Sequence, residues 1–348
     1  MNSYDFYAPV RVLFGEGSLK KLHTLEMPGK KALLVISNGK SAKMNGSLAA
    51  TEDELTKAGV SYVIYNGIGA NPLKSAVEEG AKVGRENGAD FVVALGGGSV
   101  MDAAKNIAIT TSAGTGSEAD AACVITNPDT FEKIGVGGFP GMFATYAIVD
   151  PTLMKTVPQA YTAYQGFDAL FHSVEGYISN RHNLMGDMVQ RAAIENIGKY
   201  LPRAVKDGND MEARERVAFA NTMSGYSMDV TACTSEHSME HAMSAYHQHL
   251  PHGAGLIMFS REYFSFWISK HVCDDRFVDM AKFLGKEDAT KPEDFITALT
   301  DLQKACGVAD LKMSDYGIQK EEAMTLAKNA RETMGRLFAC DYYSHVIF

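Results

Sequence analysis

The amino-acid sequence predicts an α/β domain built on a parallel sheet, followed by an all-α domain. Its 348 residues exceed what one hydrophobic core usually serves. Short β-branched runs alternate with helical patterns through the first third of the chain, which is typical of βαβ units. From about Val157 onward, apolar residues recur every three or four positions, as on amphipathic helices. The change of pattern between Pro151 and Pro158 predicts domains over residues 1–155 and 156–348.

Composition narrows the class of partner. A hydrophobic content of 46% supplies a sizeable core, and a net charge of −9 disfavours nucleic acid and anionic membranes, which need an excess of Lys and Arg. A small molecule is therefore the expected partner. The five cysteines are an odd number without a C-x-x-C pair, which indicates reduced thiols. With no secretory signal and no long apolar run, the sequence predicts a cytoplasmic protein.

Four apolar runs, each followed by a helical pattern, account for the predicted sheet. They are "RVLFG", "KKALLVIS", "SYVIYNGI" and "DFVVALGGG", and each is nearly continuous in apolar residues, as expected of strands covered on both faces. The fourth precedes "SVMDAAKNIAI", which we expect to be helical. Longer periodic runs such as "DALFHSVEGYIS", "MVQRAAIENIGKYL" and "KEEAMTLAKNARETMGRLF" predict helices in the second domain.

Two glycine-rich turns in the first domain favour a nucleotide ligand. In "VVALGGGSVMDAAK", glycines between strand and helix let backbone N–H groups approach a phosphate. A purely structural alternative is a capping box formed by Ser99 and Asp102. The second turn, "TTSAGTGSEAD", adds hydroxyl groups at what we expect to be the same edge of the sheet. Neither turn contains G-x-x-x-x-G-K-[ST], which disfavours a P-loop kinase or ATPase.

A histidine cluster in the second domain favours a metal site. Asp168 and His172 are four residues apart in one predicted helix, and His237 and His241 have the same spacing in another. A third imidazole, His252 in "LPHGAG", would complete an oxygen and three-nitrogen site for a divalent ion. The alternative is that each histidine is a hydrogen-bonded core residue. No cysteine belongs to the pattern, which disfavours a Cys-rich structural zinc site.

Taken together, the motifs resemble the iron-containing (group III) alcohol dehydrogenases over nearly the whole chain. "GGGSVMDAAK", "TTSAGTGSE", "AIVDP", "GFDALFHSVEGY", "HSMEHAMSA" and "LPHGAG" occur in that family's order. The resemblance implies a dehydroquinate synthase-like fold, with a Rossmann-like dinucleotide-binding domain and a helical metal-binding domain. It also implies NAD(P)(H)-dependent interconversion of small primary alcohols or diols and aldehydes, in a homodimer or higher homo-oligomer.

The resemblance assigns site residues motif by motif. It implies Fe²⁺, or Zn²⁺ or Mn²⁺, bound by Asp168, His172, His237 and His252. His241 would stay off the metal and assist proton transfer as the catalytic residue. The implied cofactor set places the pyrophosphate at the first glycine turn and includes Asn38, Gly97, Gly98, Ser99, Asp102, Thr110, Thr111, Thr115 and Lys133.

One position bears on the choice of cofactor. NAD-preferring folds tend to place an acid after the second strand, against the ribose 2′-hydroxyl. This chain reads "LLVISNGKS" there, with neutral Asn38 next but one to Lys40. No carboxylate would repel a 2′-phosphate, so the sequence favours NADP(H) slightly, with NAD(H) as the alternative.

Three departures from the family's pattern bear on these expectations. One extra residue precedes "PHG", which leaves His247 and His249 as candidates for approach to the metal. Only "NIAI" separates "DAAK" from "TTSAGTGSE", too little for both a helix and a strand, which predicts that a segment was omitted from the sequence. The ending "CDYYSHVIF" predicts that the family's last helix is missing or shifted in register.

Two rival functions remain open from the sequence. A zinc-dependent glycerol dehydrogenase-like or dehydroquinate synthase-like enzyme would share the fold, although the latter needs several basic residues near the metal, where few occur. A non-catalytic metal-binding protein is the alternative from another class. For an alcohol substrate, we expect apolar pocket walls from Phe143, Phe167 and Tyr246.

Overall fold

The structure, a computed structural model, describes residues 2–334. Six parallel strands form one sheet in the order β1-β8-β5-β4-β2-β3, and an antiparallel ribbon is formed by β6 and β7. This confirms the predicted parallel sheet. The strands are β1 (Arg11–Phe14), β2 (Lys31–Ser37), β3 (Ser61–Ile68), β4 (Phe91–Gly96), β5 (Ile107–Thr110), β6 (Ala122–Asn127), β7 (Glu132–Gly137) and β8 (Tyr146–Val149).

Burial on both faces explains the continuous apolar runs. Along β2, Leu34 and Ile36 pack into one hydrophobic cluster, whereas Leu33 and Val35 pack into another on the opposite face. Alternate side chains of a strand point to opposite faces, so a central strand needs apolar residues at every position. The helices beside this sheet are α1 (Ser41–Met44), α2 (Ser47–Lys57), α3 (Lys74–Glu86) and α4 (Gly98–Ala103).

The short connection after β4 holds both a helix and a strand, so our expectation that they could not both form was wrong. Helix α4 has only six residues, and β5 begins at Ile107, where a continuing helix was expected. Strand β5 pairs with β4 on one side and β8 on the other, which stabilises it despite its four residues. That a segment was omitted from the sequence stays a prediction.

The β6–β7 ribbon was not predicted. Its strands pair from Ala122↔Gly137 to Asn127↔Glu132, and the turn "PDTF" joins them. At that turn the Phe131 ring stacks on Tyr246 with a centroid separation of 4.7 Å. Through this contact, the ribbon packs against the helical part of the chain.

The second part of the described chain is helical, as predicted. After β8, a 3-10 helix spans Pro151–Met154 and the first long helix begins at Gln159, so the predicted boundary at residues 155/156 falls in this connection and stays a prediction. A single large hydrophobic cluster unites these helices. They are α5 (Gln159–Ile178), α6 (Leu184–Lys206), α7 (Met211–Val230), α8 (Ser235–Tyr246), α9 (His252–Ser269), α10 (Asp274–Phe283), α11 (Glu293–Ala305) and α12 (Ala323–Met334).

Several expectations concern features outside these elements. The ending "CDYYSHVIF", where we predict that the family's last helix is missing or shifted in register, lies outside the described residues. So does the end of the predicted helical run "KEEAMTLAKNARETMGRLF". Within the described chain, no helix is both long enough and apolar enough to cross a bilayer. Its four cysteines are all free thiols.

Candidate metal centre and outer cleft

Three imidazoles predicted as metal donors lie close to one carboxylate oxygen of the fourth predicted donor, Asp168. Asp168 Oδ1 lies 3.5 Å from His172 Nδ1 and 3.4 Å from Nε2 of both His237 and His252. Two ligands bound at 2.0–2.2 Å in tetrahedral geometry are about 3.4 Å apart. His172 Nδ1 is buried and has no hydrogen-bond partner among the described residues. Asp168, His237 and His252 each offer a donor atom within 4.8 Å of the other two, and His172 adjoins this group through Asp168, so the four residues fit the surroundings of one cation.

Three helices position this set. Asp168 and His172 lie one turn apart on α5, and His237 lies on α8. His252 is the first residue of α9, where a loop was expected, and it follows Pro251. Gly253 permits this placement, because a Cβ there would collide with the backbone of Tyr164 on α5.

Two carboxylates behind the ligands orient the imidazoles. Glu175 accepts from His237 Nδ1, and Glu240 accepts from His252 Nδ1. Each bond fixes the tautomer and turns Nε2 towards Asp168, which is the usual support of a metal-bound histidine. Sequence reasoning missed both glutamates. The available signal was the repeated "HSVE" and "HSME", which places a glutamate three residues after His172 and after His237.

The charge balance of the cluster suits a divalent cation. Burial opposes ionisation, but His252 and His172 hold the pKa of Asp168 well below its usual range. His237 likewise lowers the pKa of Glu175, and His252 and Lys133 lower that of Glu240, against the effect of burial. Cys233 and Glu175 in turn raise the pKa of His237, and Glu240 raises that of His252, against the effect of burial. Binding of a cation would release these imidazole protons. Three carboxylates and the Lys133 ammonium would then carry a formal charge of −2, which a divalent ion balances.

His241 lies beside the donors but not among the contacts of Asp168. It is on α8 with His237, and its ring centroid is 5.5 Å from that of His252. Its Nδ1 is buried without a hydrogen-bond partner among the described residues. Burial and the Lys133 ammonium lower the pKa of His241 well below its usual range. The ring is therefore neutral and able to accept a proton.

The other two histidines of the segment stay away from this centre. His247 Nε2 lies 3.2 Å from Glu322, and His249 is exposed. The extra residue before "PHG" therefore changes the loop that follows α8 and brings neither imidazole to the donors.

A cleft of about 450 Å³, which we call the outer cleft, runs between the carboxyl ends of the strands and the helical part. Both glycine-rich turns line it, as predicted. They touch each other here, because a Cβ on Gly98 would collide with Thr115. Five residues of the predicted cofactor set line the outer cleft: Gly97, Gly98, Ser99, Thr111 and Thr115.

Four other residues of that predicted set lie elsewhere. Thr110 is buried and its hydroxyl donates to Ser112 O at 2.8 Å. Asn38 is exposed and does not line the outer cleft, although its neighbour Ser37 does. Asp102 accepts from Ser117 Oγ at 2.6 Å and from Val124 N, so the alternative of a capping box was wrong. Lys133 faces the metal donors.

A smaller cavity of about 190 Å³, the inner cavity, lies on the other side of the donors. Asp168 and His252 line the outer cleft, whereas His172, His237, His241 and His252 line the inner cavity. Phe143, Phe167 and Tyr246, the residues expected as apolar pocket walls, do not line this cavity, and Phe167 is fully buried in the helical core. Its walls include Asp102, Asp120, Cys123, Val124, Lys133, Met228 and Cys233.

Lys105 neutralises buried carboxylates behind the wall of the inner cavity. Its Nζ lies 2.7 Å from Asp120, and the two side chains are 9% and 2% exposed. Burial raises the pKa of the nearby Asp102 to about 6. Because removal of one partner strands the other charge, we expect Lys105→Met to lower the free energy of unfolding by about 3–5 kcal/mol.

Urea denaturation measures this loss, and Lys74→Met is the matched control. Lys74 pairs with Glu78 at 3.9 Å, but the side chains are 63% and 67% exposed. An exposed pair contributes less than about 1 kcal/mol. Equal losses in the two variants would contradict the role given to Lys105.

A parallel sheet with a glycine-rich cleft, joined to helices that hold an oxygen and three-nitrogen donor set, defines a nucleotide- and metal-binding enzyme class. The chain belongs to the iron-containing alcohol dehydrogenase family: the model of iron-containing alcohol dehydrogenases matches residues 9–110, and that of the C-terminal part of the Fe-containing alcohol dehydrogenase family matches residues 162–338.

Characterised relatives match along most of their length. The chain is 29% identical to a 1,3-propanediol dehydrogenase of Klebsiella pneumoniae, with 94% of this chain and 92% of the relative covered. It is 30% identical to an NAD-dependent methanol dehydrogenase of Bacillus methanolicus, with 94% and 93% covered. An archaeal halo-thermophilic alcohol dehydrogenase from a Red Sea brine pool, solved by crystallography, has a TM-score of 0.91 and 30% identity over 98% of this chain and 96% of that one.

Proposed function

We propose that the protein interconverts small primary alcohols or diols and their aldehydes by metal-dependent hydride transfer with a nicotinamide cofactor. The position of the donors carries this proposal. Asp168 lines the outer cleft, His172 and His237 line the inner cavity, and His252 lines both. A cation between them would face a cofactor on one side and a substrate on the other. Family membership and the names of the relatives support the same reaction class.

The sizes of the two spaces support this division of roles. The outer cleft lies at the carboxyl ends of β2, β4 and β5, where parallel α/β sheets bind nucleotides. Its 450 Å³ suit an extended ligand, whereas the 190 Å³ of the inner cavity suit a molecule of a few carbon atoms. Gly98, Ser99, Thr115 and His252 line both spaces, so ligands in the two would meet beside the donors.

The residues of this chain divide the work of the reaction. Asp168, His172, His237 and His252 would hold a divalent cation, which supplies Lewis acidity at the alcohol oxygen. Glu175 and Glu240 keep two of the imidazoles oriented through their Nδ1 atoms. Neutral His241, on the wall of the inner cavity, accepts the hydroxyl proton at its free Nδ1 in alcohol oxidation and returns it in aldehyde reduction.

We propose Fe²⁺ as the native metal, as the family's name suggests. One carboxylate and three imidazoles also suit Zn²⁺ and Mn²⁺, and availability often decides between them. Metal analysis of the purified protein, combined with an assay of aldehyde-dependent loss of reduced-nicotinamide absorbance, tests both the metal and the reaction. We expect about one metal ion per chain and turnover with short aldehydes. Bound metal without any turnover would instead favour a non-catalytic metal-binding protein.

The lining of the inner cavity disfavours a dehydroquinate synthase-like reaction on an anionic sugar acid. Lys133 is the only Lys or Arg among its described lining residues, and its ammonium is already paired with Glu240 at 3.1 Å. A glycerol dehydrogenase-like enzyme would catalyse the same type of reaction. It is tested by including glycerol among the alcohols that are assayed as substrates. A polyol preferred over all simple alcohols would support that alternative.

For the cofactor, we propose NADP(H) as the preferred form and NAD(H) as an accepted one. Asp168 is the only acidic residue among the described residues that line the outer cleft, and Ser37, Ser41 and Asn45 line its end at β2. A 2′-phosphate would therefore meet hydroxyl and amide groups. The names of relatives include both NADH- and NADPH-dependent enzymes.

We expect Ser37→Asp, which adds a carboxylate to the lining of the outer cleft at the end of β2, to weaken NADPH binding by about tenfold while leaving NADH binding within a factor of about two. A new carboxylate beside the 2′-phosphate would cost on the order of 1 kcal/mol at the effective dielectric of a protein surface. Fluorescence titration with both reduced cofactors measures this change. Asn87→Asp, at an exposed site after α3 and outside the outer cleft, adds the same single negative charge and is the control. A native preference for NADH would contradict the proposal.

A further inference from the structure

Cys233 lies beside the metal donors, although no motif singled it out. It is in the four-residue connection Thr231–Thr234 between α7 and α8, and its side chain lines the inner cavity. A sulfur atom of Cys233 and ring nitrogens of His172 and His237 all lie within 4.8 Å of one another. His237 thus belongs to two overlapping donor groups, one with Asp168 and His252 and one with His172 and this thiol.

Glu175 fixes the position of the chain next to Cys233 relative to His237. One oxygen of its carboxylate accepts from Thr234 N at 2.6 Å and from Thr234 Oγ1 at 2.7 Å, and the other accepts from His237 Nδ1. The buried Glu175 carboxylate therefore fixes both Thr234, which follows Cys233, and His237. These bonds keep the Cys233 sulfur near the imidazoles.

Cys233 lies on the side of the centre where an alcohol would enter. Asp168 lines the outer cleft, whereas Cys233 shares the inner cavity with His172 and His237. Since the four predicted ligands fill four positions, a further donor in this cavity occupies the position left open for the substrate oxygen. A thiolate and an imidazole on one tetrahedral ion are about 3.6 Å apart, so a shift on the order of 1 Å brings the sulfur into coordination.

We propose that Cys233 is an additional metal ligand, which binds from the inner cavity and competes with the alcohol oxygen. The inference rests on the proposed function. On coordination, the thiol loses its proton to solvent and the sulfur donates an electron pair to the cation. Sulfur is a soft donor, so the ligand is held more by Zn²⁺ or Co²⁺ than by Mn²⁺. The identity of the bound metal therefore decides how freely the substrate enters.

Cobalt substitution tests this, because Co²⁺ bound by a thiolate shows a sulfur-to-metal charge-transfer band in the near ultraviolet. The full-length protein is stripped of metal and loaded with Co²⁺, and cobalt per chain is measured beside the spectrum. We expect about one Co²⁺ per chain and the band in the wild type. Cys233→Ser should keep the cobalt and lose the band. Cys123→Ser, on the wall of the same cavity but outside both donor groups, is the matched control and should keep both.

A competition measurement completes the test. Without nicotinamide, 1-propanol added to the cobalt-loaded wild type should weaken the band, since the alcohol oxygen displaces the sulfur. Stoichiometric cobalt without the band, or a band that survives Cys233→Ser and Cys233→Ala, would overturn the role of Cys233 and leave the proposed function intact. A band unchanged by 1-propanol would overturn the competition. Failure of every variant to bind cobalt would overturn the metal site itself and with it the proposed function.

Discussion

Replacing Asp168 by alanine should remove the bound metal and lower turnover by roughly 10³-fold or more. Asp168 Oδ1 is the atom on which His172, His237 and His252 converge, and it supplies the only carboxylate among the four donors. Without it, the nearest carboxylates are Glu175 and Glu240, which contact His237 and His252 at Nδ1, on the side of each ring away from Nε2. The loss follows because a Lewis acid contributes several kcal/mol to the reaction, and each 1.4 kcal/mol is about tenfold in rate.

Two measurements on Asp168→Ala separate loss of metal from loss of fold. Metal per chain is compared with the wild type, and circular dichroism checks that the helical signal is unchanged. His249→Ala is the matched control, because His249 belongs to the same histidine-rich segment but is exposed and away from the donors. An Asp168→Ala protein with a full complement of metal and ordinary turnover would refute the proposed centre.

Local spacing predicted part of the candidate donor set, whereas the choice of His252 and the exclusion of His241 came from the family resemblance. Four-residue spacing puts Asp168 with His172, and His237 with His241, on single faces of α5 and α8 whatever the tertiary structure. Their carboxylate partners could not be assigned in this way. Glu175 contacts His237 on another helix, and Glu240 contacts His252 on a third. These pairings depend on how α5, α8 and α9 pack, which spacing along one helix does not reveal.

The predicted cofactor residues show a second limit of predicting a site from sequence motifs, because a motif does not reveal which side chains face the cleft. Thr110 and Thr111 are adjacent, and consecutive side chains at the end of a strand point in opposite directions. Only Thr111 lines the outer cleft, while Thr110 is buried. Lys133 lies outside the outer cleft for a different reason. It lies on β7 of the unpredicted ribbon, which packs on α8 and brings its ammonium to Glu240.

The short connection after β4 shows how sheet pairing overrides a local pattern. The run "SVMDAAKNIAI" has helical periodicity, yet its last three residues pair as β5 between β4 and β8. A central position buries both faces of β5, and all four of its residues are buried. This burial favours a strand for "IAIT", where β-branched residues fit. Nothing in the run itself indicates which two strands will flank it.

His241→Ala should keep the metal and lower turnover by about 10²-fold, within the usual range for loss of a general acid or base. Its imidazole is not among the contacts of Asp168, but it lines the inner cavity, and its Nδ1 has no hydrogen-bond partner among the described residues. Because burial and Lys133 lower its pKa well below the usual range, the ring is neutral at neutral pH, as a proton acceptor must be, although it is a weak base. Loss of this acceptor leaves water to remove the hydroxyl proton.

Three readouts distinguish this role of His241 from a structural one. Metal per chain should match the wild type, and added imidazole should restore part of the activity of His241→Ala by entering the space left by the ring. His241→Gln, which keeps hydrogen-bonding groups but cannot take up a proton, should be as slow as the alanine variant. His247→Ala is the control, since His247 pairs with Glu322 outside the centre. Loss of metal from His241→Ala would make His241 a ligand, in place of the proton acceptor argued from its position.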